Sequence, residues 1–164
     1  MKKPKTLWLL AGLPGSGKST YLRERMFKEP HSVYISRDEI RFSMLNDGDE
    51  YFSKEDEVFA KFISDAEGML TEPYIYDVYM DATHLNAKSR RKTLNAFKNL
   101  KNYNVGCIYF DVPLNICLER NAKRSGRALV PEDTIRSMSR RLTKPAGAEH
   151  FDKIIVIDAG GNEV

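Results

Sequence analysis

Residues 12 to 19 read Gly12-Leu13-Pro14-Gly15-Ser16-Gly17-Lys18-Ser19, a phosphate-binding loop. Its glycines let consecutive backbone N–H groups converge on one point at a helix N-terminus, making an anion nest. Lys18 can then reach the β- and γ-phosphates of a nucleoside triphosphate, and the Ser19 hydroxyl can ligate Mg²⁺. A plain glycine-rich turn leaves Lys18-Ser19 without a purpose. The spacing of Gly12, Gly15 and Gly17 is not the G-x-G-x-x-G of a dinucleotide fold. The expectation is ATP or GTP bound with Mg²⁺.

Transfer chemistry needs acids and cations around such a loop. Asp38 is read as closing the second strand, 20 positions after Lys18, where a carboxylate can face the γ-phosphate and accept a hydroxyl proton. The competing role is a helix cap. Arg41 falls one helical turn on and can pair with Asp38 or hold a substrate phosphate. Asp81 closes another apolar run, Val78-Tyr79-Met80, and suits the metal or its water shell. Thr83, His84 and Asn86 follow it; Thr83 and His84 are read as substrate contacts, with a hydrogen-bonding role the alternative for His84 and a catalytic one not expected.

Arg120, Arg124 and Arg127 straddle a helix break. A planar guanidinium can bind two oxygens of a transferring phosphoryl group, and a mobile flap carrying one excludes water. Arg124 is the expected catalytic arginine, and Arg120 the expected neighbour of the donor nucleotide.

The elements that must position these groups alternate along the chain. Runs at 6–11, 33–35, 77–81, 104–111 and 151–157 read as strands. The stretches between them carry helical spacing, such as Val58, Phe59, Phe62, Ile63, Ala66, Met69 and Leu70. Helices are expected over 19–27, after Asp38 through Met44 and Leu45, over 55–70, over 87–100 with Arg90-Arg91-Lys92 outward, from Pro113 to about Lys123, and after Pro131. Strands separated by helices imply an α/β fold, a five-stranded parallel sheet covered on both faces. Ligands of such sheets sit beyond the carboxyl ends of the strands. One domain spanning 1–164 is expected, with an arginine-rich lid over about 120–144.

The chain has 164 residues, 41% of them hydrophobic, and a net charge of +3. No apolar stretch approaches the roughly 20 residues of a membrane span. Leu7 to Ala11 is too short for a secretory signal. Cys107 and Cys117 read as reduced thiols, so the simplest placement is cytoplasmic. Charge is uneven: residues 47–57 hold six acids against one base, and 120–144 eight bases against two acids. The basic stretch suits nucleotide or polyanion phosphates, or else forms a solvated helix face. The acidic stretch counts against a polyanion. Tyr51, Phe52, Tyr74 and Tyr76 are candidates to stack bases, or to pack.

Taken together the motifs resemble the bacteriophage polynucleotide 5′-kinases, the kinase half of polynucleotide kinase-phosphatase. The resemblance runs through Gly15-Ser16-Gly17-Lys18-Ser19-Thr20, Ser36-Arg37-Asp38-Glu39-Ile40-Arg41 and Asp81-Ala82-Thr83-His84-Leu85-Asn86. It continues through Tyr109-Phe110-Asp111-Val112-Pro113, Glu119-Arg120-Asn121-Ala122-Lys123-Arg124, Val130-Pro131 and Ile135-Arg136-Ser137-Met138.

The resemblance implies a P-loop kinase fold and transfer of the ATP γ-phosphate to the 5′-hydroxyl of DNA or RNA, a nucleic-acid repair reaction. Asp38 would be the general base, and Arg41 would contact Asp38 and the substrate's 3′-phosphate. Lys18 and Arg124 would bind the transferring group, Ser19 the metal, and the loop from Gly12 and Pro14 to Thr20, with Arg120, the donor. The phosphatase half of the family is not expected here, so a separate phosphatase or ligase partner, or self-association, is compatible with the reading. If the gene is a phage's, the cytoplasm is the host's. The second reading is a small-molecule kinase acting on a nucleoside, sugar or antibiotic hydroxyl. A third is a nucleotide-gated binding module without an acceptor, against which Asp38 and the arginines argue.

Overall fold

The computed structural model describes residues 3–164. Five strands, β1 (Thr6–Ala11), β2 (Ser32–Ser36), β3 (Asp77–Asp81), β4 (Asn104–Phe110) and β5 (Lys153–Ile157), pair in the order β2-β3-β1-β4-β5. Every one of these pairings is parallel. Six α-helices connect or follow them: α1 (Lys18–Lys28), α2 (Arg37–Met44), α3 (Glu55–Thr71), α4 (Ala87–Asn95), α5 (Leu114–Ala122) and α6 (Glu132–Arg141).

The central strand β1 is apolar on both faces because helices cover both. Leu7 and Leu9 join Val78 and Met80 beneath α2, α3 and α4, in a cluster with Ile40, Val58, Phe62, Ala66 and Leu70. Leu10 faces the opposite side, packing with Tyr21, Leu22, Ile108, Phe110, Cys117 and Ile135 beneath α1, α5 and α6. The period-2 alternation of β1 thus divides the core between two layers. Trp8 and Tyr79, cross-strand partners, stack at 6.3 Å.

Two details depart from expectation. Helix α4 ends at Asn95 rather than near residue 100. The Phe97 N–H bonds back to the Leu94 carbonyl at 3.3 Å in a tightened last turn, and Phe97, Leu100 and Tyr103 pack against the cluster of Leu7 and Leu9 as irregular chain. The apolar residues that suggested a longer helix are buried without being helical.

Arg90 also points inward rather than outward. It is 1% exposed, and its Nε and Nη2 donate to Glu149 at 2.7 and 3.0 Å. No helix among the described residues is long and apolar enough to cross a membrane.

Candidate active site

The carboxyl ends of β1, β2 and β3 lie side by side: Ser36 pairs with Asp81, and β1 adjoins β3. From β1 the chain turns through residues 12–17 into α1. Gly17 precedes the helix in the left-handed region (φ 101°), where a β-carbon is disfavoured. It offers no side-chain cap, so the Lys18, Ser19 and Thr20 N–H groups have no intrahelical acceptor. Gly15, at φ 82°, lies so close to the Cys117 carbonyl of α5 that a β-carbon would collide with it.

The Ser16 hydroxyl is buried without a hydrogen-bond partner. A buried orphan hydroxyl beside uncapped amides at a helix N-terminus is what a phosphate oxygen would satisfy. These residues therefore fit a triphosphate. Lys18 Nζ donates to the Gly12 and Leu13 carbonyls at 2.9 and 2.8 Å. Gly12 N–H in turn bonds the Thr83 carbonyl at 2.9 Å, tying the loop to the segment after β3. Pro14 is half-buried and Thr20 exposed on α1.

Lys18 collects the surrounding charges. Burial lowers its pKa, while Asp81 and Asp38 raise it and Arg124 lowers it again. Asp81 shows the complement: burial raises its pKa, Lys18 lowers it, and Asp38 and Glu39 raise it. Lys18, Asp38, Asp81 and Arg124 thus share one electrostatic environment. Such an array of two cations and two carboxylates can neutralise a phosphoryl group and still leave a base.

The question of whether Asp38 is a cap or a base has a structural answer on one side. Ser36 is the α2 cap, its Oγ accepting from the Glu39 N–H at 3.2 Å. Expected to close the strand, Asp38 sits instead in the first turn of α2, past the end of β2 at Ser36, with its side chain 64% exposed. Its Oδ1 accepts from Arg41 Nη1 and from the Tyr51 hydroxyl, the latter at 2.8 Å. Burial and the Asp38 charge push the Tyr51 phenol up to about 12, so it remains a donor.

Arg41 makes the contact with Asp38 expected of it, and the rest of its fork is turned toward the protein. It is 5% exposed, with Nε and Nη2 held by Glu55 at 3.0 and 2.7 Å and Nη1 shared between Asp38 and Tyr51. Its fork is engaged within the protein. It orients Asp38 rather than reaching outward.

Glu55 also takes Arg37, whose Nη2 lies 2.6 Å away. Burial raises the Glu55 pKa, but the hydrogen bonds and charges of the two arginines outweigh it and hold the carboxyl below its usual range. The acidic run therefore has a local logic: Glu55, Asp56 and Glu57 form the first turn of α3, and Glu55 is the counterion of two α2 arginines.

His84 is the second correction. Expected at the substrate, it is 3% exposed, with Nδ1 2.7 Å from the Leu10 carbonyl and Nε2 3.2 Å from Thr93 Oγ1. A carbonyl only accepts, so Nδ1 carries the proton and Nε2 accepts from Thr93. Burial first pulls the imidazole down to about 4, keeping it neutral. His84 supports the end of β1 and contacts nothing outside.

Thr83, beside it, is half-buried. Tyr74 and Tyr76 lie at the amino ends of the strands, around His31, and not at the site.

The arginine-rich segment divides by position. Arg120 reaches the Gly15 carbonyl at 3.4 Å and the Ala159 carbonyl at 2.5 Å, clamping the loop's flank to the turn after β5. Buried Asn121 bonds both backbone groups of Val130, at 2.7 and 3.0 Å, so 122–130 is a closed excursion carrying Arg124 and Arg127. Arg127 crosses to α2, its Nη1 3.3 Å from the Phe42 carbonyl. Arg136 is paired with Glu132 on a solvated helix face, the plainer of the two roles considered for this stretch. Tyr51 and Glu55 were not singled out from sequence as partners of the candidate base. The available signal was Arg37 and Arg41, four apart on α2, facing an acidic helix start.

A family described as an AAA domain matches residues 7–145. Among solved structures, a chain of the Pnkp1/Rnl/Hen1 RNA repair complex superposes with a TM-score of 0.72 at 21% identity, covering 87% of this chain and 45% of its own. The chain thus spans less than half of that relative. A fungal RNA kinase gives 0.69 at 14%, covering 93% and 38%. A sugar kinase from Janibacter sp. HTCC2649 gives 0.66 at 16%, covering 97% and 88%. These likenesses share the parallel α/β architecture of this chain. With the family match extending from β1 to beyond α6, the chain belongs to the AAA domain family.

Proposed function

We propose that this chain is an ATP-dependent kinase that transfers the γ-phosphoryl group to the 5′-hydroxyl end of DNA or RNA. The observation that carries the reading is Asp38, released from capping by Ser36 and held by Arg41 and Tyr51, in the same electrostatic environment as Lys18 and Arg124. A passive nucleotide binder has no use for it.

Lys18 moves from the Gly12 and Leu13 carbonyls onto the β- and γ-phosphates. The amides of residues 15–20 and the Ser16 hydroxyl complete the cradle, with Arg120 on its flank. Arg124 closes on the γ-oxygens as negative charge spreads over them. Asp38 accepts the proton of the attacking hydroxyl, while Arg41 and Tyr51 fix which carboxylate oxygen is free. Ser19 and Asp81 would hold Mg²⁺, directly or through water, and the ion would neutralise the β- and γ-oxygens. The Thr83 side chain stays in the proposal as an acceptor contact. His84 and Arg41 do not. A separate phosphatase or ligase acting on the same ends would be a natural partner.

The RNA repair and RNA kinase neighbours support a polynucleotide acceptor. A second reading, a small-molecule hydroxyl as acceptor, has its own support. The sugar kinase matches over nearly its full length, and exposed Asp47, Asp49, Glu50, Asp56 and Glu57 rim the acceptor side.

γ-Labelled ATP offered with 5′-hydroxyl oligonucleotides, nucleosides and sugars tests both. Label on the oligonucleotide 5′ end supports the first reading. Label only on small hydroxyl compounds overturns it in favour of the second.

A further inference from the structure

Beside Asp38, Phe42 of α2 and Tyr51 and Phe52 of the chain between α2 and α3 bring three aromatic rings together at the surface. Tyr51 and Phe52 pair edge to face at 4.6 Å, and Phe42 and Tyr51 at 6.1 Å. Tyr51 is 42% exposed and Phe52 63% exposed. Single exposed aromatics are ordinary, but a cluster of them left in water calls for an occupant.

The cluster is locked to the candidate base. The Tyr51 hydroxyl that donates to Asp38 belongs to the middle ring. The buried Arg41 guanidinium backs the cluster, its Cζ 4.5 Å from the Tyr51 centroid and 5.6 Å from that of Phe52. Arg127 closes the other end over Phe42 at 5.5 Å. The inner side is thus occupied by a cation that holds the rings in place, and the outer side is open.

Two constraints select the occupant. A hydroxyl attacking from Asp38 belongs to a molecule whose next part must lie over these rings. In a nucleotide, the 5′-oxygen and the base are separated only by the sugar. The rim is acidic, with exposed Asp47 and Glu50 preceding the aromatic pair and exposed Asp56 and Glu57 following it, while Asp49 is paired with Lys54 at 3.5 Å. That field repels phosphates and leaves an uncharged planar ring as the favoured contact. A base satisfies both constraints, because every base has a π-face and none carries charge at neutral pH.

We infer that Phe42, Tyr51 and Phe52 form the subsite for the 5′-terminal base of the acceptor, with Phe52 the principal stacking face. The inference rests on the polynucleotide reading above. It also reverses the meaning of the acidic run: the carboxylates direct the strand's phosphates away, so that only its terminal nucleoside enters.

The test uses two 5′-hydroxyl oligonucleotides identical except that one lacks its 5′-terminal base. Steady-state transfer is measured for the wild type, Phe52→Ala and Phe52→Trp. The wild type should show a KM roughly 5- to 100-fold higher for the abasic substrate. Phe52→Ala should raise the KM of the base-bearing substrate by a similar factor, leave that of the abasic one within about two-fold, and leave ATP affinity unchanged. Phe52→Trp should restore discrimination.

Equal KM values for both substrates in the wild type overturn the subsite. So does a Phe52→Ala effect that is the same on both. No transfer to either oligonucleotide by the wild type overturns the polynucleotide reading itself, and the subsite falls with it.

Discussion

Arg90 and Glu149 lie 59 positions apart yet form a bidentate ion pair in which the arginine side chain is 1% and the glutamate 12% exposed. The remaining guanidinium nitrogen donates to the His84 and Thr143 carbonyls at 2.9 and 3.1 Å. Glu149→Ala would leave a buried cation with only those two carbonyls. Stranding one partner of a buried pair costs about 3–5 kcal/mol. The surviving carbonyl bonds, and the water that can follow a 12%-exposed glutamate inward, place this case at the lower end, about 3 kcal/mol.

At about 2–4 °C per kcal/mol for a chain of this size, the melting temperature should fall by about 6–12 °C, read by calorimetry near neutral pH. The double variant Arg90→Met/Glu149→Leu, which removes both charges, should recover most of the loss. The pair also carries a pH signature. Hydrogen bonds from Arg90 hold the Glu149 carboxyl below its usual 4.5. Its contribution is therefore complete above that value and is lost as the pH falls through the depressed native one. A Glu149→Ala melting temperature within about 2 °C of wild type, or a double variant worse than the single one, would refute the reasoning.

Protonation of His84 gives a second pH effect. Its pKa falls from 6.5 to about 4 on burial, so the unfolded chain binds a proton that the native chain refuses. Stability should decline as the pH falls from 6.5 toward 4, and His84→Asn, which tolerates the positive φ of 39°, should flatten that decline in denaturant titrations. An unchanged slope would contradict the burial. At Gly15, a β-carbon meets the Cys117 carbonyl at a left-handed φ. Gly15→Ala should displace the loop and weaken ATP binding at least about 10-fold in calorimetric titration, with strain of about 1–3 kcal/mol. Unaltered affinity would show that the loop geometry is not what holds the phosphates.

The sheet was legible because its strands are buried on both faces and so read as short apolar runs bounded by turns. The glycine loop was legible because its backbone requirement is written in residue type. Asp38 could be placed at a strand end, but its freedom depends on Ser36, two residues earlier, taking the cap. Arg90 and His84 were misjudged for one physical reason: their partners, Glu149, Thr93 and the Leu10 carbonyl, come from other elements. A charged or titratable side chain in an otherwise polar segment looks solvent-facing until the fold supplies its counterpart. The acidic run looked like a liability because Glu55 and its two arginines are joined only when α3 packs on α2.

The most direct measurement compares Asp38→Asn with wild type in two assays on the same preparation, ATP affinity by calorimetry and γ-phosphoryl transfer to a 5′-hydroxyl oligonucleotide. Loss of a general base should lower transfer by roughly 10²- to 10⁴-fold while the ATP dissociation constant stays within about three-fold. Transfer that persists near the wild-type rate, or an ATP affinity that collapses along with it, would contradict the assignment of Asp38 as the group that receives the acceptor's proton.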